Sequence, residues 1–587
     1  MEHPLTTYII SDTILSSLGF GTQANLNAIH AYWSALAMKK DGYFSEFKTL
    51  AGRISRERIK LILDQHSLIG DTMPYTRLEQ LFILAIREVL QHSRVSLKDE
   101  KCGLILSTTK GNIDQLAWQT KKIDQSVFLW KMAQSIARYF QAGERVHLIS
   151  NACISGVSAL IVGKRMLESG IYNKVVVVGG DFLCPFITSG FHSFKSLSEQ
   201  LCRPYDAQRN GLNLGEACGA VVLSTEGTEK DIILSGGAIS NDANHISGPS
   251  RTGDGLFFAI RQAMEEAGTE AKDISFINAH GTATVYNDEM ESKAITLAHL
   301  EHVPVQSLKG YFGHTLGASG IVETIVSMHE LKNGILYGTL GYESLGVPMP
   351  ILVSNTHQEL PMKHCVKTAS GFGGCNASIV LSLPSALCHS HTASPLSKGE
   401  EVAFGIVRSV KIENSRINVN EETIFQSETE NFELYIREAF KNLGGNNMKF
   451  YKMDDLCKLG YIAAEYLLKD ITFAPTEMGI VLANANSSLH TDIKHEFALE
   501  GGEEGEAVAS PATFVYTLPN VVIGEICIRH KIQGENTFFI ERNYQPEKLA
   551  AYAQIAMKKG KLKYCIVGWC DLLNNNYKAE FKLIKTL

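Results

Sequence analysis

The chain reads as an α/β protein built from several compact units, and three observations predict this. Short, continuously apolar runs recur along it: Gly103–Leu106, Val146–Ile149, Val175–Val178, Ala220–Leu223, Ile232–Leu234, Ile274–Ile277 and Ile379–Leu381. Runs that are apolar at every position suit strands buried on both faces of a sheet. Between them lie longer stretches with apolar residues at helical spacing, such as Leu78–His92, Ser155–Glu168 and Gly255–Ala267, and strands alternating with helices predict α/β layering. At 587 residues the chain also exceeds what a single hydrophobic core organises.

Composition narrows the function classes. Asp and Glu number 62 against 55 Lys and Arg, a formal charge of −7, so the chain has no general attraction for nucleic acid or anionic lipid. Apolar residues at 45% and charged residues at 20% belong to a folded rather than a disordered chain. The start, MEHPLTTYIISDTILSSLGFG, lacks a cationic segment followed by an unbroken apolar run, and no stretch reaches the roughly 20 apolar residues of a membrane span. A cytoplasmic location is expected. Twelve cysteines include no C-x-x-C pair and are too sparse for a disulfide framework, so most are expected as small buried hydrophobes, with no structural zinc.

A polar, helix-poor stretch, Leu387–Glu401, follows a strand and marks a boundary. Beyond it the order of elements repeats that of the N-terminal region. Lys452–Asp492 parallels Tyr75–Asp114, and Gly534–Asp571 parallels Gly143–Asp181.

Four polar, glycine-bearing motifs each follow a strand candidate: NACISG, NAHGTAT, KGYFGHTLGASG and GFGGCNAS. The carboxyl edges of strands carry the sites of α/β sheets, so four such motifs predict one shared pocket. Cys153 stands where a strand turns into an apolar helix, and the amides and dipole of a helix N-terminus favour its thiolate, predicting a lowered pKa. His280 and His314 open two further motifs; two imidazoles facing one thiolate suit carbanion chemistry on a thioester. Lys309 and Glu323 are placed to form a charge pair bracing His314. Glycines 371, 373 and 374 free the backbone around Phe372 so that amides can point at a reacting oxygen.

On these motifs, residues 1 to about 385 resemble the elongating β-ketoacyl-[acyl carrier protein] synthases, condensing enzymes of the thiolase fold. Cys153 matches the family's nucleophile, His280 and His314 its two histidines, Lys309 its lysine, and Phe372 its gating aromatic. Arg203–Ser224 resembles a further family segment. The resemblance implies a thiolase-like fold of duplicated αβαβα layers with mixed five-stranded sheets, plus a C-terminal half-thiolase-like domain. By it, Cys153 accepts an acyl chain from a thioester, the amides of Cys153 and Phe372 hold the oxyanion, and His280 and His314 assist decarboxylation of a malonyl thioester. Thr282 and Thr284 hold the pantetheine arm, and Lys309 and Glu323 support His314. The product is a 3-oxoacyl thioester, in fatty-acid, polyketide or aryl-polyene-like synthesis.

The expected division is residues 1–230 for the nucleophile half, 231–387 for the histidine half, 388–401 as linker, and 402–587 as a silent repeat. In that repeat Cys153 falls near Asn543 and Tyr544, where no thiol stands, and neither histidine motif recurs. Asn151 replaces a small hydroxyl residue of the family, Ile154 adds bulk after the nucleophile, and Cys375 replaces a threonine and is read as packing. The resemblance implies an acyl carrier protein as partner, a homodimer or pairing with another ketosynthase-like subunit, no nucleic acid or membrane span, and no cofactor beyond the carrier's phosphopantetheine. Two alternatives are a chain-length-factor-like partner of another synthase, which Cys153 and both histidines oppose, and a non-decarboxylating thiolase, which would want a second catalytic cysteine.

Overall fold

A computed structural model describes residues 5–40, 48–65, 69–72, 74–116, 123–387, 403–501 and 509–587. The expected linker 388–401 lies outside the described residues. Three units follow one another, each built on five strands in the same order; the short strand Leu352–Val353 extends the second sheet, and the strands Arg416–Val419 and Glu422–Gln426 extend the third.

The first contains β1 (Tyr8–Ser16), α1 (Arg77–Ser93), β2 (Cys102–Ser107), α2 (Leu129–Phe140), β3 (Val146–Ile149), α3 (Ser155–Glu168), β4 (Lys174–Asp181), α4 (Pro185–Ser193) and β5 (Ala217–Ser224). Its sheet runs β1-β5-β4-β2-β3, the first two pairings antiparallel and the last two parallel. The second contains β6 (Ile232–Asn241), α5 (Asp254–Ala267), β7 (Ile274–Asn278), α6 (Val285–Leu297), β8 (Pro304–Gln306), α7 (Ser319–Asn333), β9 (His364–Gly371) and β10 (Cys375–Ser382). Its order, β6-β10-β9-β7-β8, repeats the same two antiparallel and two parallel steps.

The third contains β11 (Phe404–Glu413), α8 (Asp455–Leu468), β12 (Met478–Asn484), α9 (Leu489–Leu499), α10 (Val521–His530), β13 (Asn536–Ile540), α11 (Pro546–Gly560), β14 (Tyr564–Leu573) and β15 (Asn576–Thr586). It runs β11-β15-β14-β12-β13, again with two antiparallel and two parallel pairings. β13 then pairs antiparallel with β3 of the first unit, Phe539 opposite Ile149 and Ile540 opposite Leu148. The first and third sheets thus meet edge to edge, which removes an exposed strand edge from each.

Helix composition records which layers are double-sided. α3 is buried from Ser155 to Leu167, lying beneath the first sheet and against α7 of the second unit. Gly156 and Gly320 permit the α3–α7 contact: a Cβ on Gly156 would stand 2.9 Å from the Gly317 carbonyl oxygen, and one on Gly320 2.4 Å from the Val157 nitrogen. α11, the topological counterpart of α3, buries only Leu549, Tyr552, Ala553, Ala556 and Met557. No fourth sheet closes over it among the described residues, and its other face is polar. Where α11 nears α3, Arg165 meets Glu535 at 2.8 Å and Lys559 meets Glu168 at 2.5 Å.

Candidate active site

Cys153 lies in a single 3₁₀ turn, Ala152–Ile154, between β3 and α3. The preceding Ala152 takes φ +48°, a left-handed conformation that costs an L-residue energy and is held by the surrounding packing. The amides of Cys153 and of Phe372 both point toward the sulfur, and a Cβ on Gly371 would stand 3.1 Å from the Cys153 nitrogen. Glycine at 371 is therefore what brings the β9–β10 loop against the nucleophile turn.

The expected low thiol pKa is not found. Burial pushes the Cys153 thiol up to about 12, and the opposing pull of Lys309 and the two amides does not offset it. A helix terminus and a nearby cation favour the thiolate, but Cys153 is almost wholly enclosed, and the loss of its hydration outweighs both.

His280 and His314 meet edge to face, ring centroids 5.3 Å apart. Burial, reinforced by the charge of Lys309 and Lys367, holds both imidazoles well below the ordinary histidine pKa, so both are neutral at pH 7. The backbone of His280 is fixed by Glu291: its Oε1 accepts from the His280 N–H at 2.8 Å and its Oε2 from the Gly281 N–H at 2.8 Å. Nδ1 of His314 lies 3.1 Å from Ser319 Oγ, which also accepts from the Thr315 N–H at 3.0 Å.

Lys309 donates to Glu323 Oε1 at 2.6 Å, and the other carboxylate oxygen lies 2.7 Å from Lys367. Glu323 is thus shared by two buried lysines, whose charges hold its carboxyl below the usual range despite burial. Thr282 and Thr284 lie with their hydroxyls 2.9 Å apart, Thr282 buried and Thr284 half-buried. Phe372 is half-buried and packs on Phe194 at 5.3 Å and Phe191 at 6.1 Å. Among the described residues no group of three or more His, Cys, Asp or Glu is placed to hold a metal ion.

Four residues not singled out for these contacts in the sequence complete the surroundings. Lys367 and Glu291 sit in a strand and a helix with no motif around them. Asn151 belongs to the nucleophile motif, but its role becomes visible only in the fold. Its Nδ2 donates to the Asn536 carbonyl at 2.8 Å and its Oδ1 accepts from the Phe538 N–H at 3.1 Å, tying the nucleophile turn to β13. Asn520, at the start of α10, donates to the Phe372 carbonyl at 2.9 Å. Cys375 is buried beside the same loop, its sulfur 3.3 Å from the Phe372 carbonyl oxygen, and Ile154 lies in the main core.

Where the thiol would recur in the third unit, Tyr544 instead packs on Trp569 at 5.7 Å. Phe514 of the same unit reaches the Phe372 side of the site, lying 5.4 Å from Phe191 over Gly190.

A cysteine at a strand-to-helix turn, two paired neutral imidazoles and two repeated mixed sheets define a thiolase-like condensing enzyme. Residues 71–228 match the beta-ketoacyl synthase N-terminal domain and residues 232–343 the beta-ketoacyl synthase C-terminal domain, so residues 71–343 carry a beta-ketoacyl synthase. It is 27% identical over 418 residues to a putative mitochondrial 3-oxoacyl-[acyl-carrier-protein] synthase of Schizosaccharomyces pombe, covering 62% of this chain and 97% of that one. It is 33% identical to 3-oxoacyl-[acyl-carrier-protein] synthase 2 of Rhizobium meliloti, but there the match spans 40% of this chain and 60% of the relative. Among solved structures, a ketosynthase of Xenorhabdus doucetiae, in complex with its chain length factor, aligns at TM-score 0.57 and 26% identity, over 65% of this chain and all of that one. The PfaC keto synthase-chain length factor aligns over 99% of this chain and 78% of its own, at TM-score 0.75 and 14% identity, a likeness of fold. Among the described residues no helix is long and apolar enough to cross a membrane.

Proposed function

We propose that the chain performs a decarboxylating Claisen condensation, joining an acyl group carried on Cys153 to a malonyl thioester. The observation that carries this reading is the neutral His280–His314 pair and a thiol flanked by two inward-pointing amides, all three side chains within reach of the Lys309 charge. In the first half-reaction the Cys153 sulfur attacks the acyl thioester carbonyl, and the oxyanion is held by the amides of Cys153 and Phe372. The thiol proton leaves as attack proceeds and ends on the departing pantetheine sulfur.

In the second half-reaction the malonyl thioester lies along Thr282 and Thr284, and its thioester oxygen faces the two imidazoles. Ser319 Oγ accepts from Thr315 N–H and lies 3.1 Å from both Thr315 Oγ1 and Nδ1 of His314; with its hydroxyl hydrogen turned to Nδ1, that ring carries its proton on Nε2 and donates from there. Loss of carbon dioxide leaves an enolate stabilised by donors from both histidines. Its carbon attacks the acyl-Cys153 carbonyl, and the cysteine sulfur leaves. Lys309, Glu323 and Lys367 keep a fixed positive field behind the histidines and oppose their protonation.

An acyl carrier protein in the cytoplasm presents both thioesters on its phosphopantetheine, and no other cofactor takes part. Residues 1–230 and 231–387 form the catalytic halves and 402–587 a catalytically silent third unit. β13 pairs with the edge of β3, so the third unit is joined to the catalytic halves in cis, and it takes the part of a chain length factor, the kind of protein with which the Xenorhabdus ketosynthase forms its complex. Intact-protein mass spectrometry after incubation with acyl-carrier proteins of varied chain length tests this. An acyl adduct is expected on the wild type and not on Cys153→Ala; the same adduct on both would reject Cys153 as nucleophile.

A further inference from the structure

We infer that Asn520, supplied by the third unit, is a positioning residue for the oxyanion hole, which rests on the reading of the Phe372 amide above. Asn520 is buried at the N-terminal end of α10. Its Nδ2 donates to the Phe372 carbonyl at 2.9 Å and lies 3.7 Å from the Cys375 sulfur. The Phe372 carbonyl begins the peptide unit next to the one whose N–H points at Cys153, so a donor on that oxygen restrains the rotation that would swing the N–H away.

Three further observations point to the same role. α10 is seated on this loop at a glycine: a Cβ on Gly524 would stand 2.7 Å from the Gly373 carbonyl oxygen and 2.9 Å from its Cα. Gly373 itself takes φ +89°, and a Cβ there would stand 2.7 Å from Asn520 Nδ2, so loop and helix are matched at backbone distance. Oδ1 of Asn520 is buried without a hydrogen-bond partner, so the side chain is not kept for a balanced network of its own.

The internal repeat adds a control. In the frame that sets Gly534 against Gly143, Asn520 falls on Leu129 and Gly524 on Ala133. The amide donor is present in the unit that faces a nucleophile and absent from the equivalent helix of the first unit, whose Trp130 meets Arg542, beside the third unit's thiol-free turn, at 5.3 Å. Together with Asn151, whose side chain holds β13 by two hydrogen bonds, Asn520 lets the third unit grip both edges of the oxyanion hole.

The test compares the full-length wild type with Asn520→Leu, which keeps bulk and removes the donor, and Asn520→Asp, which keeps the shape and places a carboxylate against the carbonyl. Single-turnover acylation of Cys153 by acyl-carrier protein is followed by intact mass, and alkylation of the same cysteine by iodoacetamide, which needs no oxyanion hole, is measured in parallel. Acyl transfer is expected to slow by about 10- to 100-fold in both variants, with half-saturation unchanged and alkylation within about twofold of wild type. Acyl transfer at the wild-type rate in whichever variant folds overturns the role, and so does an equal fall in acylation and alkylation. If the wild type itself forms no acyl-Cys153, the reading of Cys153 fails and the role of Asn520 falls with it, a result distinct from either variant outcome.

Discussion

Lys110 and Asp492 form a buried ion pair between the first and third units, and cutting it gives a prediction whose size and pH dependence can both be worked out. Lys110 Nζ lies 2.6 Å from both carboxylate oxygens of Asp492, 2.6 Å from the Thr517 carbonyl and 3.2 Å from Ser488 Oγ, all buried. In Asp492→Ala the ammonium loses its counter-charge and can either stay charged at a cost or shed its proton. The second route caps the penalty at the free energy of deprotonating a lysine of ordinary pKa 10.5, about 5 kcal/mol at pH 7 and about 2 kcal/mol at pH 9. Lys110→Met strands the carboxylate instead, which burial already raises to about 6. Its cap, set by protonating an acid of ordinary pKa 3.8, is about 4 kcal/mol at pH 7 and about 2 kcal/mol at pH 5. The two single variants therefore drift in opposite directions: the first grows milder as pH rises, the second as pH falls. Replacing both residues, by Met and Leu, should return stability to within about 1 kcal/mol of wild type, because no charge is left buried. With an unfolding entropy of about 2.1 cal/mol/K per residue, thermal unfolding should show Asp492→Ala lowered by roughly 4 °C at pH 7 and roughly 2 °C at pH 9. A deficit that does not change between those pH values, or a double variant worse than either single one, refutes the reasoning.

Other consequences concern the site and its aromatic wall. A methyl at Gly190 would stand 2.1 Å from the Phe514 ring, so Gly190→Ala should cost about 1–3 kcal/mol, and Phe514→Leu should relieve part of that cost in the double variant; strict additivity in denaturant melts contradicts the contact. Because the Cys153 thiol is pushed up to about 12, its alkylation by iodoacetamide should climb about tenfold per pH unit from pH 7 to 10, whereas a plateau near pH 8 contradicts the burial. Both histidines are held neutral, and a lowered pKa means protonation is delayed to more acidic pH. Malonyl decarboxylation should therefore persist below pH 6.5, and a half-loss centred on 6.5 would show ordinary histidines instead.

Much of this was legible in the sequence because its physics is local. The apolar runs became strands with small changes at their ends, since a strand buried on both faces has little choice of residue: Val175–Val178 lies inside β4 and Ile379–Leu381 inside β10. Ser155–Glu168 coincides with α3, whose small and apolar residues from Ser155 to Gly163 suit burial on all sides, while the polar stripe of α11 reports the sheet it lacks. The motif residues Cys153, His280, Lys309, His314 and Phe372 all stand at strand ends or in the loops that follow them. What the sequence concealed is long-range. Asn151 read as a departure from a family pattern, yet its two hydrogen bonds reach β13, nearly four hundred residues on. Lys367 sits in an ordinary strand, and only the fold brings it to Glu323. The pKa of Cys153 depends on how completely its pocket closes, which no turn motif encodes.

The central claim, that this site joins carbon dioxide loss to carbon–carbon bond formation on Cys153, is met most directly by a stoichiometric measurement. Acyl-loaded enzyme is given labelled malonyl-carrier protein, or acetyl-carrier protein in its place, and released carbon dioxide and 3-oxoacyl product are counted together. One carbon dioxide per product two carbons longer than the acyl group, with no product from the acetyl donor, is the predicted result. Product formed equally from the acetyl donor, or acyl-Cys153 that persists while malonyl-carrier protein remains intact, would contradict it.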